Sequence, residues 1–232
     1  MTGKKLVIFF FTIILLVTIC SASLSQGVND RITLPEPDTA GGMSLTRAIF
    51  KRRCIRSFKE TSVTLSQLSQ ILWAGCGRKV DSVTGPTRTA PSAGGLYPVE
   101  IYVVAGNVDG LSEGCYSYNS SSHSLIALKE GDLRRDLARA SLWQQFIVEA
   151  PVTIVIGVVY ERTTRKYGER GRARYAIMDA GHVAQNIFLQ VVALNLGTTT
   201  VGAFSDADVC RILGLKDAEP LYIMPVGHPY FH

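Results

Sequence analysis

The apolar positions of the chain fall into distinct patterns. Near the start they are continuous: Leu6 to Ile19 is interrupted only by Thr12 and Thr18. Residues 24–42 lose that character, carry Pro35 and Pro37, and read as a linker. From Ser44 onward, apolar residues recur at helical or strand spacing. Ser44 is placed to cap a helix over LTRAIFKRR (45–53), and Thr64 a second helix over LSQLSQILWAGCG (65–77). In the second, Leu65, Leu68, Ile71 and Leu72 share one face, and Gly75 or Gly77 ends the run. Residues 80–95 show no periodicity and predict a loop. Val99, Ile101 and Val103 alternate with Glu100, Tyr102 and Val104, which predicts a strand over 99–105.

GCYSYN and SLIALK flank SSSH and predict a hairpin over 114–129. Residues 131–149 read as helix broken near Ser141. PVTIVIGVVY (151–160) is a near-continuous apolar run, as expected of a central strand. Residues 172–197 form a long helical pattern closing at Gly197. It is apolar over most of its circumference, so it is expected to be buried nearly all round, in a core or a subunit interface. A short strand (198–204), a capped helix (205–215) and a last strand (219–229) follow. Strands and helices mix without regular β-α-β alternation, which points to an α+β fold.

Composition adds bounds. At 232 residues, 47% of them hydrophobic, the chain suffices for one sizeable domain, here residues 43–232. Lys4 and Lys5 precede the continuous apolar run, and the small residues CSAS (20–23) follow it. Residues 1–23 therefore read as a secretory signal peptide or, if uncut, an N-terminal anchor, with the domain exported in either case. Membrane contact is expected only through this segment. Its removal takes two lysines and no acid, lowering the net charge from +5 to +3. That mild balance, with no basic run interleaved with aromatics, excludes a nucleic-acid binder. Cys20, Cys54, Cys76, Cys115 and Cys210 are scattered without metal-ligand spacing and are either free thiols or one disulfide plus free thiols. His228 and His232 lack a third ligand, so no metal site is expected.

Two stretches carry candidate chemistry. Arg52, Arg53 and Arg56 crowd the end of the first helix, either as a solvated basic helix end or as an anion grip. Arg52 and Arg56, four apart, would share a face if the helix runs that far. Pro91, Ser92, Ala93, Gly94 and Gly95 lead into the 99–105 strand with almost nothing that can pack, which marks a plain turn or a close approach to the backbone. Asp179, His182 and Asn186 lie at helical spacing and read as a structural polar seam.

RRCIRSF (52–58), PSAGGLYPVEIYVV (91–104), KYGERGRARYAIMDAGHVAQN (166–186) and TTTVGAF (198–204) resemble, in that order, the nitroreductase family, and within it the SagB-type dehydrogenases that oxidise azoline rings in ribosomal peptides. The resemblance spans roughly residues 44–229. It implies a central sheet flanked by helices, an intimate homodimer, and one FMN in each of two sites between the subunits. In such proteins the arginine motif comes from one subunit and the PSAGG-like loop from the other, where small residues let backbone lie against a flat ring. By the same resemblance, Arg52 lies at the phosphate or ribityl chain, Arg56 near the pyrimidine edge of the ring, and Arg53 among the cofactor-binding residues. Cys54 stands where serine is common, and Val201 and Gly202 pass the N5 side. His228 follows MPVG, where relatives carry phosphate-binding basic residues. Lys166 and Tyr167 match a dyad assigned to proton transfer.

The implied activity is hydride transfer between an organic substrate and flavin N5. Nicotinamide cofactors are scarce outside the cytoplasm, so export favours a dehydrogenase over an NAD(P)H-dependent nitro or quinone reductase. Cys54 and His228 leave room for a third reading, a degenerate flavin-binding module without turnover.

Overall fold

The computed structural model describes residues 31–83 and 85–230. The segment expected to be a signal peptide or anchor lies outside them.

A seven-stranded sheet, antiparallel at every pairing, organises the fold in the order β1 (Arg31–Thr33), β8 (Ser124–Glu130), β7 (Gly114–Asn119), β5 (Val99–Ala105), β9 (Val152–Val158), β11 (Glu219–Gly227), β10 (Gly197–Thr198). Its middle is β5 (Val99–Ala105), β9 (Val152–Val158) and β11 (Glu219–Gly227), and every residue of β9 is buried. The alternation seen in the sequence sorts these strands onto two cores. Ile101, Val103, Ile154 and Ile156 pack with α2 (Leu65–Cys76) and α6 (Ala176–Ala193). Val104, Val155 and Ile223 face the other way, onto α3 (Arg134–Ala140), α4 (Phe146–Glu149) and α7 (Asp206–Leu213). Leu68, Ile71, Leu72, Ile154, Ile156 and Ile187 are fully buried. Each such side chain contributes about 1.5–3 kcal/mol of transfer free energy, so the first core is the larger source of stability.

The caps follow from the sequence. Ser44 Oγ accepts from the Arg47 N–H at the start of α1 (Leu45–Lys51), and Thr64 and Gln67 form a reciprocal capping box on α2. Ser205 caps α7, and Gly214 closes it in the left-handed region. The predicted hairpin is β7 (Gly114–Asn119) with β8 (Ser124–Glu130).

Four expectations are corrected. The linker expected over 24–42 holds a strand, β1 (Arg31–Thr33), which pairs with β8 at the sheet edge. Residues 80–95 are not all loop: β3 (Arg78–Asp81) and β4 (Gly85–Arg88) form a small hairpin. Helix α1 stops at Lys51, because the chain beyond Arg52 turns extended to pair with residues 197–198 and 228–229. The long helix begins with a π-helical turn, Gly171–Tyr175, and α6 proper ends at Ala193. It is buried on one broad face and leaves a row exposed, with Ile177 at 49% and Met178 at 53%. A shorter α5 (Glu161–Tyr167) precedes the π turn, and two-residue strands β2 (Val63–Thr64), β6 (Val108–Asp109) and β10 (Gly197–Thr198) complete the elements.

Candidate functional site

The arginine segment runs extended from Arg52 to Phe58. Cys54 bridges Thr198 in parallel, and the Ile55 N–H donates to the Thr198 carbonyl at 2.9 Å. Ile55 lies against Gly197, where a Cβ would meet its side chain at 2.8 Å. Side chains alternate along extended backbone, so Cys54 and Arg56 point the opposite way and both are exposed. The helix face expected to carry both Arg52 and Arg56 does not form, because α1 ends at Lys51, and the two line different cavities. The Arg52 guanidinium lies over the Phe188 ring, 5.4 Å from its centroid.

Two cavities open along this segment. One, of about 390 Å³, is lined by Arg47, Lys51, Arg52 and Arg53 with Phe50 and Asn195 among their neighbours. The other, of about 260 Å³, is lined by Arg53, Cys54, Arg56, Ser57, Pro229 and Tyr230. Neither has an acidic wall residue, so both are suited to an anionic group.

The small-residue loop is built differently. Its Ser92 Oγ accepts from the Tyr97 N–H at 2.8 Å and donates to Asp179 Oδ2 at 2.6 Å, while the Ala93 N–H reaches Asp179 Oδ1 at 3.3 Å. Gly94 and Gly95 then take φ of +63° and +65°. At Gly94 a Cβ would stand 2.5 Å from Tyr167 Oη and 3.0 Å from Lys166 Nζ. The absent side chain thus lets the loop backbone lie against the Lys166–Tyr167 pair, and two stretches more than 70 residues apart become one surface. Tyr167 is half-buried and meets Tyr175 edge-on, with centroids 4.9 Å apart; Arg170 Nε donates to Tyr175 Oη at 2.8 Å. Tyr175 ends the π turn, a device that often re-aims a side chain at a working site. Beneath the loop, Arg162 donates to the Tyr97 carbonyl at 2.9 Å and pairs with Glu100.

The other expected residues are placed as follows. The Val201 N–H donates to the Ile223 carbonyl at 2.8 Å, so it is already committed; the exposed Gly202 N–H has no partner among the described residues. Thr199, fully buried beside them, has a hydroxyl with no partner among the described residues. The half-buried His228 is hydrogen-bonded through Nε2 to the Ser62 carbonyl at 3.1 Å, which leaves Nδ1 as its available nitrogen. Of the polar seam on α6, Asp179 holds the loop, and Asn186 Nδ2 donates to the carbonyls of Ala74 and Thr89 at 3.1 and 3.4 Å. His182 is exposed. The arginine cavities and the space behind the loop, which Cys76, Arg88, Ser92, Tyr97 and Asp179 line, share no residue. A single chain thus holds the two expected halves of the site apart.

Sequence reasoning missed Tyr97, Arg162 and Tyr175 and gave Asp179 no partner. A lone acid inside the apolar run AIMDAGHV was the available signal for Asp179. The four described cysteines, Cys54, Cys76, Cys115 and Cys210, are free. Burial pushes the Cys76 thiol up to about 12, only partly offset by Arg88, and burial likewise pushes Cys115 to about 12. Neither is a nucleophile at neutral pH.

The family model of the nitroreductase family matches residues 49–228. A protein of Methanocaldococcus jannaschii, named as a nitroreductase, is 42% identical over 200 residues, 86% of this chain and 98% of its own. A trifolitoxin operon protein of Rhizobium leguminosarum bv. trifolii is 24% identical over 215 residues, and this chain spans 60% of its length. A solved structure from Ralstonia eutropha, also named as a nitroreductase, aligns with a TM-score of 0.75 and 28% identity over 90% of this chain and 93% of its own. The family match takes in the arginine segment, the loop, the Lys166–Tyr167 pair and His228 alike, and the chain belongs to the nitroreductase family.

Proposed function

We propose that the protein is an FMN-dependent oxidoreductase of the SagB type, a dehydrogenase acting on an azoline-like ring in a peptide-derived substrate. The observation that carries this reading is the contact of Lys166 and Tyr167 with the backbone of Gly94. It sets two proton-bearing groups beside a loop whose next residue, Gly95, faces open space.

The residues present fit FMN. The arginine cavities offer several cations and no acid to a phosphate tail, Gly95 and Gly202 have open space where a side chain would stand, and the Gly202 N–H is available. When bound, the flavin supplies the two-electron acceptor for dehydrogenation. Arg52 and Arg53 hold the anionic tail, and Arg56 sets a positive charge beside the ring. Lys166 or Tyr167 takes the proton that leaves the substrate atom next to the carbon losing hydride. Cys54 is a weaker donor than a serine there, and His228, tied to Ser62, adds less to phosphate binding than a free cation.

The functional unit is a homodimer with FMN between subunits. Ile177 and Met178, exposed at the start of α6, together with Ile49 and Phe50 of α1, support it, since Phe50 is 80% exposed in one chain. Residues 1–23 direct export or anchor the domain. The name of the Rhizobium relative, from a toxin operon, favours a part in making a toxin; that of the Methanocaldococcus relative favours the second reading, a nitro reductase.

One experiment separates the readings. The full chain is saturated with FMN, freed of excess, and given either an azoline-bearing peptide with oxygen or quinone, or NAD(P)H with nitrofurazone. Azoline oxidation that Lys166→Ala slows at least 100-fold is expected. Rapid nitrofurazone reduction overturns the dehydrogenase reading, bound flavin with no turnover of either leaves the binding module, and a colourless chain that takes up no FMN overturns the flavoprotein.

A further inference from the structure

We infer that Asp179, which the proposed chemistry does not use, is a positioning residue: its carboxylate fixes the 92–97 loop and, through Gly94, sets where Lys166 and Tyr167 stand. The inference rests on the reading of that pair as the proton carrier.

The hydrogen bonds leave Asp179 no substitute of similar shape that keeps all of them. The Tyr97 N–H donates to Ser92 Oγ, so the Ser92 proton must point onward to Asp179 Oδ2, at 2.6 Å. The Ala93 N–H fills the other oxygen, Oδ1, at 3.3 Å. Both terminal atoms of residue 179 must therefore accept. A carboxylate does so; an amide turned one way sets N–H against the Ala93 N–H, and turned the other way keeps that bond but offers Nδ2 to Ser92 Oγ, whose proton then loses its acceptor. The group is 3% exposed, and its one ion-pair partner within reach among the described residues is the exposed His182, with Nδ1 at 3.9 Å. Stability alone does not call for a charge here. Asp179 lies on the buried side of α6 with Ala176, Ala180 and Val183, where an apolar residue would avoid the cost of desolvation. What the carboxylate adds is a fixed position for three consecutive loop groups: the Ser92 hydroxyl, the Ala93 amide and, next along the chain, Gly94, against which Tyr167 Oη and Lys166 Nζ rest.

The test compares Asp179→Asn, Ser92→Ala and the double variant in the full chain. In flavin-free protein, amide hydrogen exchange at Ala93 and Tyr97 is expected to quicken at least tenfold in Asp179→Asn, and at Tyr97 in Ser92→Ala. Amides in the centre of β9 should be unchanged. In flavin-loaded protein well below its melting temperature, kcat is expected to fall at least tenfold with KM and the FMN Kd within about threefold. The double variant should be no worse than Asp179→Asn, since both changes break one chain of bonds. Exchange at Ala93 and Tyr97 at the parent rate overturns the inference; so does a normal kcat in folded Asp179→Asn, or a loss in the double variant equal to the product of the single losses. Should Asp179→Asn not fold, Ser92→Ala carries the test through Tyr97 exchange and kcat. If the parent takes up no FMN, the proposed function falls, and the exchange pattern alone still judges whether Asp179 fixes the loop.

Discussion

The two halves of the candidate site are built on opposite principles. The loop from Ser92 to Tyr97 is wired internally: a hydroxyl, two amides and a buried carboxylate fix it, and its glycines sit in the left-handed region. The arginine segment from Arg52 to Phe58 is held by backbone bonds to residues 198 and 228–229 and by Arg52, Ile55 and Phe58 packing against the domain, and leaves Cys54 and Arg56 in solvent. One half is shaped before any ligand arrives. The other presents exposed charge on a backbone held from outside. Substitutions in the loop should therefore cost stability and activity together, whereas substitutions in the arginine segment should cost ligand affinity with little change in the fold.

The largest effect is expected at Gly94. Gly94→Val combines a left-handed backbone with a Cβ 2.5 Å from Tyr167 Oη. It should destabilise the chain by about 2–5 kcal/mol in denaturant unfolding and abolish turnover. Gly95→Ala is the control: its φ is similar but the space is open, so about 1–2 kcal/mol is expected. Equal losses at the two positions would break the contrast.

Alkaline pH comes next. Cys76 lies behind the loop with its thiol pushed from 9.0 to about 12 by burial. The folded chain keeps a proton that the unfolded chain releases, so this contribution is intact below about pH 9 and is lost as pH rises toward 12. The slope is roughly 1.4 kcal/mol per pH unit from this group. Urea unfolding at stepped pH should show stability falling above pH 9, with a shallower fall in Cys76→Ala. A thiol reagent should in turn label Cys54 in the native chain and reach Cys76 only on unfolding.

Arg56→Ala is expected to weaken FMN binding about tenfold or more, the worth of one charge-assisted hydrogen bond of about 1.5–3 kcal/mol. The melting temperature of the flavin-free chain should barely move, as is usual for an exposed side chain. Flavin fluorescence titration and calorimetry measure the two. The smallest effect is Cys54→Ser, which supplies a better donor and should tighten FMN by a few-fold.

Local rules made much of this fold legible in advance. The caps at Ser44, Thr64 and Ser205, the alternation over 99–105 and the hairpin over 114–130 are each written in a few adjacent residues. What escaped depends on distant partners. No glycine or proline stops α1 after Lys51; the extended course of 52–58 is imposed by Thr198 and His228, far along the chain. The β3–β4 hairpin is short, polar and largely exposed, so it carries no apolar alternation. β1 is a three-residue edge strand in a stretch rich in proline and polar residues. For the site, resemblance supplied the arginines, the loop and the Lys-Tyr pair, but neither spacing nor composition placed Gly94 against Tyr167 or Asp179 beneath Ser92. Those meetings are products of the packing of α5 and α6.

The strand order has a mechanical consequence. Arg31 enters the sheet at β1, one rim, while the arginine segment hangs on β10, the other. Six interstrand gaps of roughly 4.8 Å put about 29 Å between them. At that separation a substitution at Arg31 or its β8 partners is expected to leave the cationic rim undisturbed.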